Sequence, residues 1–304
     1  MSGEIKTPGP KQPLFFTQNF HLCPFKRSRM AANEEGSMSF LEHLEVLRWH
    51  LVRSTIAILI FTILCFSAKQ IIFDQIIFAP KDPQFITYRL FCNFTRAVGT
   101  AEVFCLDEMP FELLNTRMAG QFSMHIWVSF IGGIILAFPY VLYEVWRFIK
   151  PGLRKAERRY SRIILFFGGI LFALGVSFGY YLIVPLSVQF LGGYVVSAEI
   201  TNLIDLGSFI STVSTVTLAT GLIFELPVIV YFLAQTGLIT PAGMRKYRRH
   251  ALVLILVLAA IITPPDVASQ VLVAVPVLVL YEIGIFIARR VERRLERQAQ
   301  LANR

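Results

Sequence analysis

Apolar runs of bilayer-crossing length recur along this chain, and no other feature restricts its fold as strongly. A hydrocarbon core about 30 Å thick takes roughly 20 mainly apolar residues as a helix. Inside it every backbone polar group must be satisfied within the segment. Six segments meet or approach that length: Leu51 to Ala68, Phe122 to Tyr143, Ile163 to Val184, Ser208 to Ala234, Ala251 to Thr263 and Val267 to Ala288. The composition agrees, at 55% hydrophobic and 16% charged residues. The fifth run spans only about 20 Å as a helix, short of the hydrocarbon core. The Thr263-Pro264-Pro265-Asp266 link cannot continue a helix and makes the last two runs a close antiparallel pair.

Charge sets the orientation. Residues 1–53 carry seven Lys and Arg, 143–162 seven, 236–250 four and 288–304 six. The other five all lie between Lys69 and Arg117. Every alternate loop is therefore basic, which places both termini in the cytoplasm. The net charge of +9 is read as this asymmetry rather than as a nucleic-acid surface. The fold expected is an all-α membrane protein of six transmembrane helices. It is a curved bundle kinked at Pro139, Pro227 and Pro276, with short fifth and sixth helices. The domains expected are a disordered cytoplasmic tail over 1–36, the six-helix domain over 37–290 and a basic cytoplasmic tail over 291–304. Met30 and Met38 offer alternative starts.

The first external loop, about 69–119, is the one sizeable exterior piece, with five basic and six acidic residues. Cys92 and Cys105 both lie in it, where an oxidising exterior permits a disulfide, and two free thiols are the alternative. Neither the four Cys nor the five His form a metal-binding spacing, so no metal or cofactor is expected.

Several motifs fail on physical grounds. No phosphate loop ending in Gly-Lys-Ser or Gly-Lys-Thr is present, which speaks against ATP hydrolysis. Gly175-Val-Ser-Phe-Gly179 matches a nucleophile elbow in letters only, because it falls in mid-span. Its two glycines, four apart, instead mark a helix face that admits a close neighbour. His43 and His50 are about 10 Å apart along a helix, too far for one metal ion, and are read as interfacial.

Two features carry chemistry. Glu225 lies near the middle of the fourth run, where an ionised carboxylate costs about 3 kcal/mol. It needs protonation, hydration or a partner. It serves either a packing hydrogen bond or a polar cavity, whereas Glu144 and Glu282 sit near cytoplasmic ends and are less telling. The loop Trp146 to Arg159 is the second feature: seven basic residues between Arg147 and Arg162 surround the single acid Glu157. By composition alone it is an orientation signal and a surface for anionic lipid.

Four motifs, in order and spacing, resemble the TatC family, the receptor subunit of the twin-arginine protein translocase. They are His43-Leu-Glu-Val-Leu-Arg48, Phe148-Ile-Lys-Pro-Gly-Leu-Arg-Lys-Ala-Glu-Arg-Arg159, Phe224-Glu-Leu-Pro227 and Thr263-Pro-Pro-Asp-Val-Ala-Ser-Gln270. The resemblance runs from about Ser39 to Arg290. It implies a non-enzymatic receptor for the twin-arginine signal peptides of folded precursor proteins. Export would be driven by the proton-motive force in a bacterial inner membrane. It implies that Glu157 meets the paired guanidiniums, within a patch shaped by Phe148, Pro151, Gly152, Leu153, Arg159 and Arg48. It further implies partners of the TatA and TatB kind near Thr263 and Gln270, and a homo-oligomer within the complex. One position departs: the family's second glutamate is replaced by Val46, and Glu42 or Glu45 is expected to substitute in part. Glu144 also stands where the family commonly has glutamine. The rival reading is a proton-coupled transporter of a small solute using Glu225.

Overall fold

The computed structural model describes residues 40–99, 105, 109, 111–149, 161–197, 202–263 and 267–302. The elements follow the apolar runs. They are α1 (Phe40–Ser67), α2 (Ile86–Val98), β1 (Glu112–Leu114), α3 (Gly120–Ile149), α4 (Ser161–Phe178), α5 (Val184–Gly193), β2 (Leu203–Asp205), α6 (Leu206–Phe224), α7 (Leu226–Gln235), α8 (Pro241–Lys246), α9 (Arg248–Ile262) and α10 (Val267–Ala302). A π-helical turn, Gly179–Ile183, joins α4 to α5, so these two form one continuous span. Five described helical segments are long and apolar enough to cross a membrane: Leu44–Ser67, Gly120–Ile149, Ile164–Gly193, Leu206–Gln235 and Gln270–Gln298. The sixth run is α9, which at 15 residues falls short of that length.

One expectation needs correction. The sixth helix is not short: α10 has 36 residues and passes through the segment read as a separate tail. Residues 289–302 contain Arg, Glu, Leu, Gln and Ala in quantity, all good helix formers, and no Gly or Pro stops them. The first helix runs from Phe40 to Ser67, so it starts ahead of the apolar run, as the helical reading of His43 and His50 expects. A small two-stranded sheet accompanies the helices of this all-α fold. β1 pairs in parallel with β2, Glu112 opposite Leu203 and Leu114 opposite Asp205, which ties the first external loop to the second.

Glycines decide how closely the helices approach. A Cβ on Gly175 would lie 2.7 Å from the Phe224 Cβ and 2.8 Å from the Thr220 carbonyl oxygen, and one on Gly179 would collide with the Thr220 hydroxyl. The face read from the sequence as a close-packing surface is thus where α4 meets α6. Gly133 does the same for α3 against α1, where a Cβ would lie 2.7 Å from the Thr62 backbone nitrogen. The main core joins Ile183, Val184, Phe209, Ile210, Val213 and Val216 with Val273 and Val277 of α10. A second cluster, Val230, Ala234, Met244, Ile285, Ala288 and Val291, fixes α7 and α8 on α10.

The exterior loop carries its own structure. Its helix α2 bears Cys92, which is joined to Cys105 in a disulfide with 4.9 Å between Cα atoms. The buried Tyr88 hydroxyl lies 3.0 Å from the Pro80 carbonyl oxygen and 2.9 Å from that of Pro185. Thr87 donates its hydroxyl to the Tyr181 carbonyl. These bonds seat α2 on the exterior end of the α4–α5 span.

Candidate functional site

The cytoplasmic ends of α1 and α3 lie side by side, and their polar residues sort by helix face. At about 100° per residue, Glu45 and Arg48 are near neighbours on α1 while His50 points about 140° away from Glu45. Glu45 and Arg48 are exposed. His50 turns to α3, where its Nδ1 stands 2.5 Å from the Glu144 Oε2. Tyr140, one turn earlier on α3, donates its hydroxyl to the other carboxylate oxygen at 3.0 Å. Glu144 is 2% exposed, so this carboxylate is buried with a partner on each oxygen. Phe148, half-buried one turn further on, meets the His50 ring edge-on at 6.3 Å between centroids.

Sequence reasoning missed this pairing: it set His50 down as interfacial and Glu144 as less telling. Both belong to adjacent antiparallel helices, and a carboxylate that an apolar helix buries needs a partner. That was the available signal, but 94 residues separate the two and nothing local points across.

Of the expected signal-peptide residues, the structure places Phe148, Arg48 and Glu45 at this cytoplasmic end. Pro151, Gly152, Leu153, Glu157 and Arg159, and the side chain of Glu42, lie outside the described residues. The tail read over 1–36 lies outside them too.

Glu225 occupies the break between α6 and α7. Pro227 has no N–H to continue the ladder, and its ring would crowd the carbonyl four residues back, so the helix stops at Phe224 and restarts. The carboxylate is 5% exposed, and neither oxygen has a hydrogen-bond partner among the described residues. It faces Gly168 of α4, where a Cβ would lie 3.3 Å from Oε2 and 2.8 Å from Leu142 of α3. Glu225 thus sits where α3, α4 and α7 meet. The alternative of a packing hydrogen bond is not what the described residues provide.

At the other end of the α9–α10 hairpin, Thr263 and Gln270 spend their donors internally. The buried Thr263 hydroxyl donates to the Ala259 carbonyl at 2.8 Å, and Gln270 Nε2 donates to the Leu256 carbonyl at 3.1 Å. Gln270 therefore stitches α10 to α9. Glu282 pairs with Arg248 at 2.7 Å on the exposed cytoplasmic side of the same two helices. Among the described residues no group of three His, Cys, Asp or Glu could hold a metal ion.

A family model described as Sec-independent protein translocase protein (TatC) matches residues 42–276. The chain belongs to the TatC family. The TatC protein of Blattabacterium sp. subsp. Periplaneta americana (strain BPLAN) is 40% identical over 263 residues, covering 86% of this chain and 99% of the relative. That of Deinococcus radiodurans is 34% identical over 260 residues, with 85% and 88% covered. Two crystal structures of the twin-arginine translocase receptor TatC are similar in fold. One, in DDM, has a TM-score of 0.65 at 33% identity, covering 81% of this chain and 99% of that one. The other has a TM-score of 0.61 at 31% identity, covering 83% and 100%. TatC membership and the apolar helices make this a multi-pass protein of a bacterial inner membrane. The family weighs against the small-solute transporter built on Glu225.

Proposed function

We propose that the chain is the membrane receptor and assembly platform of a twin-arginine translocase. A precursor's paired guanidiniums meet Glu157 at the cytoplasmic surface. The apolar part of the signal peptide then lies against the bundle, where Glu225 supplies a buried carboxylate with no hydrogen-bond partner among the described residues. Single-span proteins of the TatA and TatB kind join along α9 and α10 near Thr263 and Gln270, further copies of this chain assemble with them, and the proton-motive force drives export. No step requires a cofactor or a bond made by this chain. Its work is binding and assembly.

The observation that carries the reading is the family match over 42–276, which contains the loop from Phe148 to Arg159 at the spacing quoted above. A guanidinium fork bonded to a carboxylate is planar and bidentate, and an ammonium cannot reproduce it. Thr263 and Gln270 already bond within the hairpin, so a partner there recognises shape and apolar surface more than unmet donors.

The test is site-specific photocrosslinking from positions flanking Glu157 to a twin-arginine precursor, with a twin-lysine precursor as control. Glu157→Ala should reduce crosslinking roughly ten- to hundredfold, the worth of a charge-assisted bond, with membrane insertion unchanged. Undiminished crosslinking in an inserted Glu157→Ala protein overturns the assignment.

A further inference from the structure

The first helix is the least buried of the membrane-crossing segments. Between Leu44 and Ile60 only Ser54 is buried. Further along, Thr62 packs on Gly133, Cys65 approaches Gly132, and the Phe66 ring stacks on His125 at 4.0 Å. These contacts hold the exterior half. In the cytoplasmic half, the polar contact between α1 and the bundle among the described residues is His50 with Glu144. Most of that half is exposed, and this pair is the polar tie that joins it to α3.

The pair lies at a place that matters for the loop that follows. Glu144 is one turn before Phe148, and α3 ends at Ile149, immediately ahead of the segment that carries Glu157. Phe148 is held edge-on to the imidazole. The same contact therefore ties α1 to the last turns of α3, ahead of that segment.

We infer that the buried His50–Glu144 pair, steadied by Tyr140, is a positioning clasp for the signal-peptide site. It fixes the start of the first span against the loop-bearing end of the second. This rests on the receptor reading given above. His50 and Glu144 do not touch the precursor; they act through Phe148 and the loop. Chemistry makes the clasp a matched set. Glu144 opposite a residue at 50 that cannot donate leaves a buried carboxylate half-satisfied, and His50 opposite a neutral amide loses the charge-assisted bond. Arg53 on α1 and Arg147 on α3 are both exposed, and the bonds to the buried carboxylate come from His50 and Tyr140.

The experiment measures crosslinking of a twin-arginine precursor from positions beside Glu157 in full-length protein in native membranes. The variants are His50→Ala, Glu144→Gln, the exchanged pair His50→Glu with Glu144→His, and His50→Arg. Membrane level and protease pattern are read for each. His50→Ala should lower crosslinking roughly ten- to hundredfold, since a misplacement of about an ångström can cost as much as about a hundredfold. His50→Arg or the exchanged pair should restore it, and the preference for twin-arginine over twin-lysine should fall and recover in step. A variant that fails to insert is replaced in the comparison by His50→Leu, which keeps bulk without a donor. Normal crosslinking and normal discrimination in an inserted His50→Ala or His50→Leu protein overturn the clasp. Glu157→Ala is run beside them. If it too binds normally, the receptor reading has failed. If it alone loses binding, the clasp has failed and the receptor reading stands.

Discussion

Three carboxylates show how residue-level chemistry is set by what the fold offers. Glu144 is buried with a partner on each oxygen, Glu225 is buried with none among the described residues, and Asp205 stands at the exterior rim as the N-cap of α6. The Asp205 Oδ2 accepts the Ser208 N–H at 3.2 Å, and Oδ1 accepts the Thr116 hydroxyl at 3.1 Å. The bond from the Ser208 backbone holds its carboxyl below the usual value of 3.8, against a smaller opposing effect of burial. A carboxyl depressed in the folded state contributes stability that is complete above the unfolded value and lost as pH falls through the folded one. The unfolding midpoint in detergent should therefore drop more steeply between about pH 5 and pH 3 in the native chain than in Asp205→Asn, which can still cap but does not titrate. Equal slopes would show that the cap contributes nothing. The cap was not foreseen, since Asp205 falls between two apolar stretches and reads as an ordinary loop acid. Its Thr116 partner comes from the other exterior loop, brought there by the β1–β2 pairing.

Among the elements, the α4–α6 contact is the one whose cause was visible in the letters. Two glycines four apart in an apolar run allow backbones to meet, and both are placed against Thr220. Gly175→Ala and Gly179→Ala should each destabilise the protein by about 1–3 kcal/mol, because the added Cβ meets backbone or a packed side chain. Gly169→Ala is the control. Its Cβ would meet nothing within 4 Å, and alanine is the better helix former, so it should be neutral or slightly stabilising. Thermal unfolding in one detergent decides, and equal midpoints for all three would remove close packing as the reason for Gly175 and Gly179. The spans, the break before Pro227 and the hairpin of α9 and α10 were legible for a similar reason: each follows from hydrophobic length or from proline within one stretch of chain. The clasp of His50 and Glu144, the β1–β2 pairing and the seating of α2 through Tyr88 were not, because each joins stretches about 90 residues apart. The extent of α10 was misread for another reason. Charge was taken as the end of the helix, when charge ends only the apolar span.

For the whole molecule, helix length against bilayer thickness is the constraint that no local repair removes. At about 1.5 Å per residue, the 15 residues of α9 rise about 22 Å, against a core of about 30 Å. The 30 residues of α3 exceed the core by a wide margin. A short helix is accommodated by thinning the lipid around it, at a cost that grows with each ångström of mismatch. The termini of α9 show how it is anchored. Arg248 pairs with Glu282 at the cytoplasmic end, while the buried Thr263 closes the exterior end by donating to Ala259. The polar groups at that exterior end would enter hydrocarbon in a thick membrane, with their bonds to Ala259 and Leu256 as the restraint. Reconstituted into bilayers of increasing acyl length, the protein should keep constant amide exchange in the middle of α3 while the amides of Ala259 and Thr263 exchange faster. The signature of thinning is that difference between two helices of one molecule. If α9 is equally protected in short and long lipids, its short length is absorbed by tilt of its neighbours or by a partner subunit, and the bilayer is not deformed there.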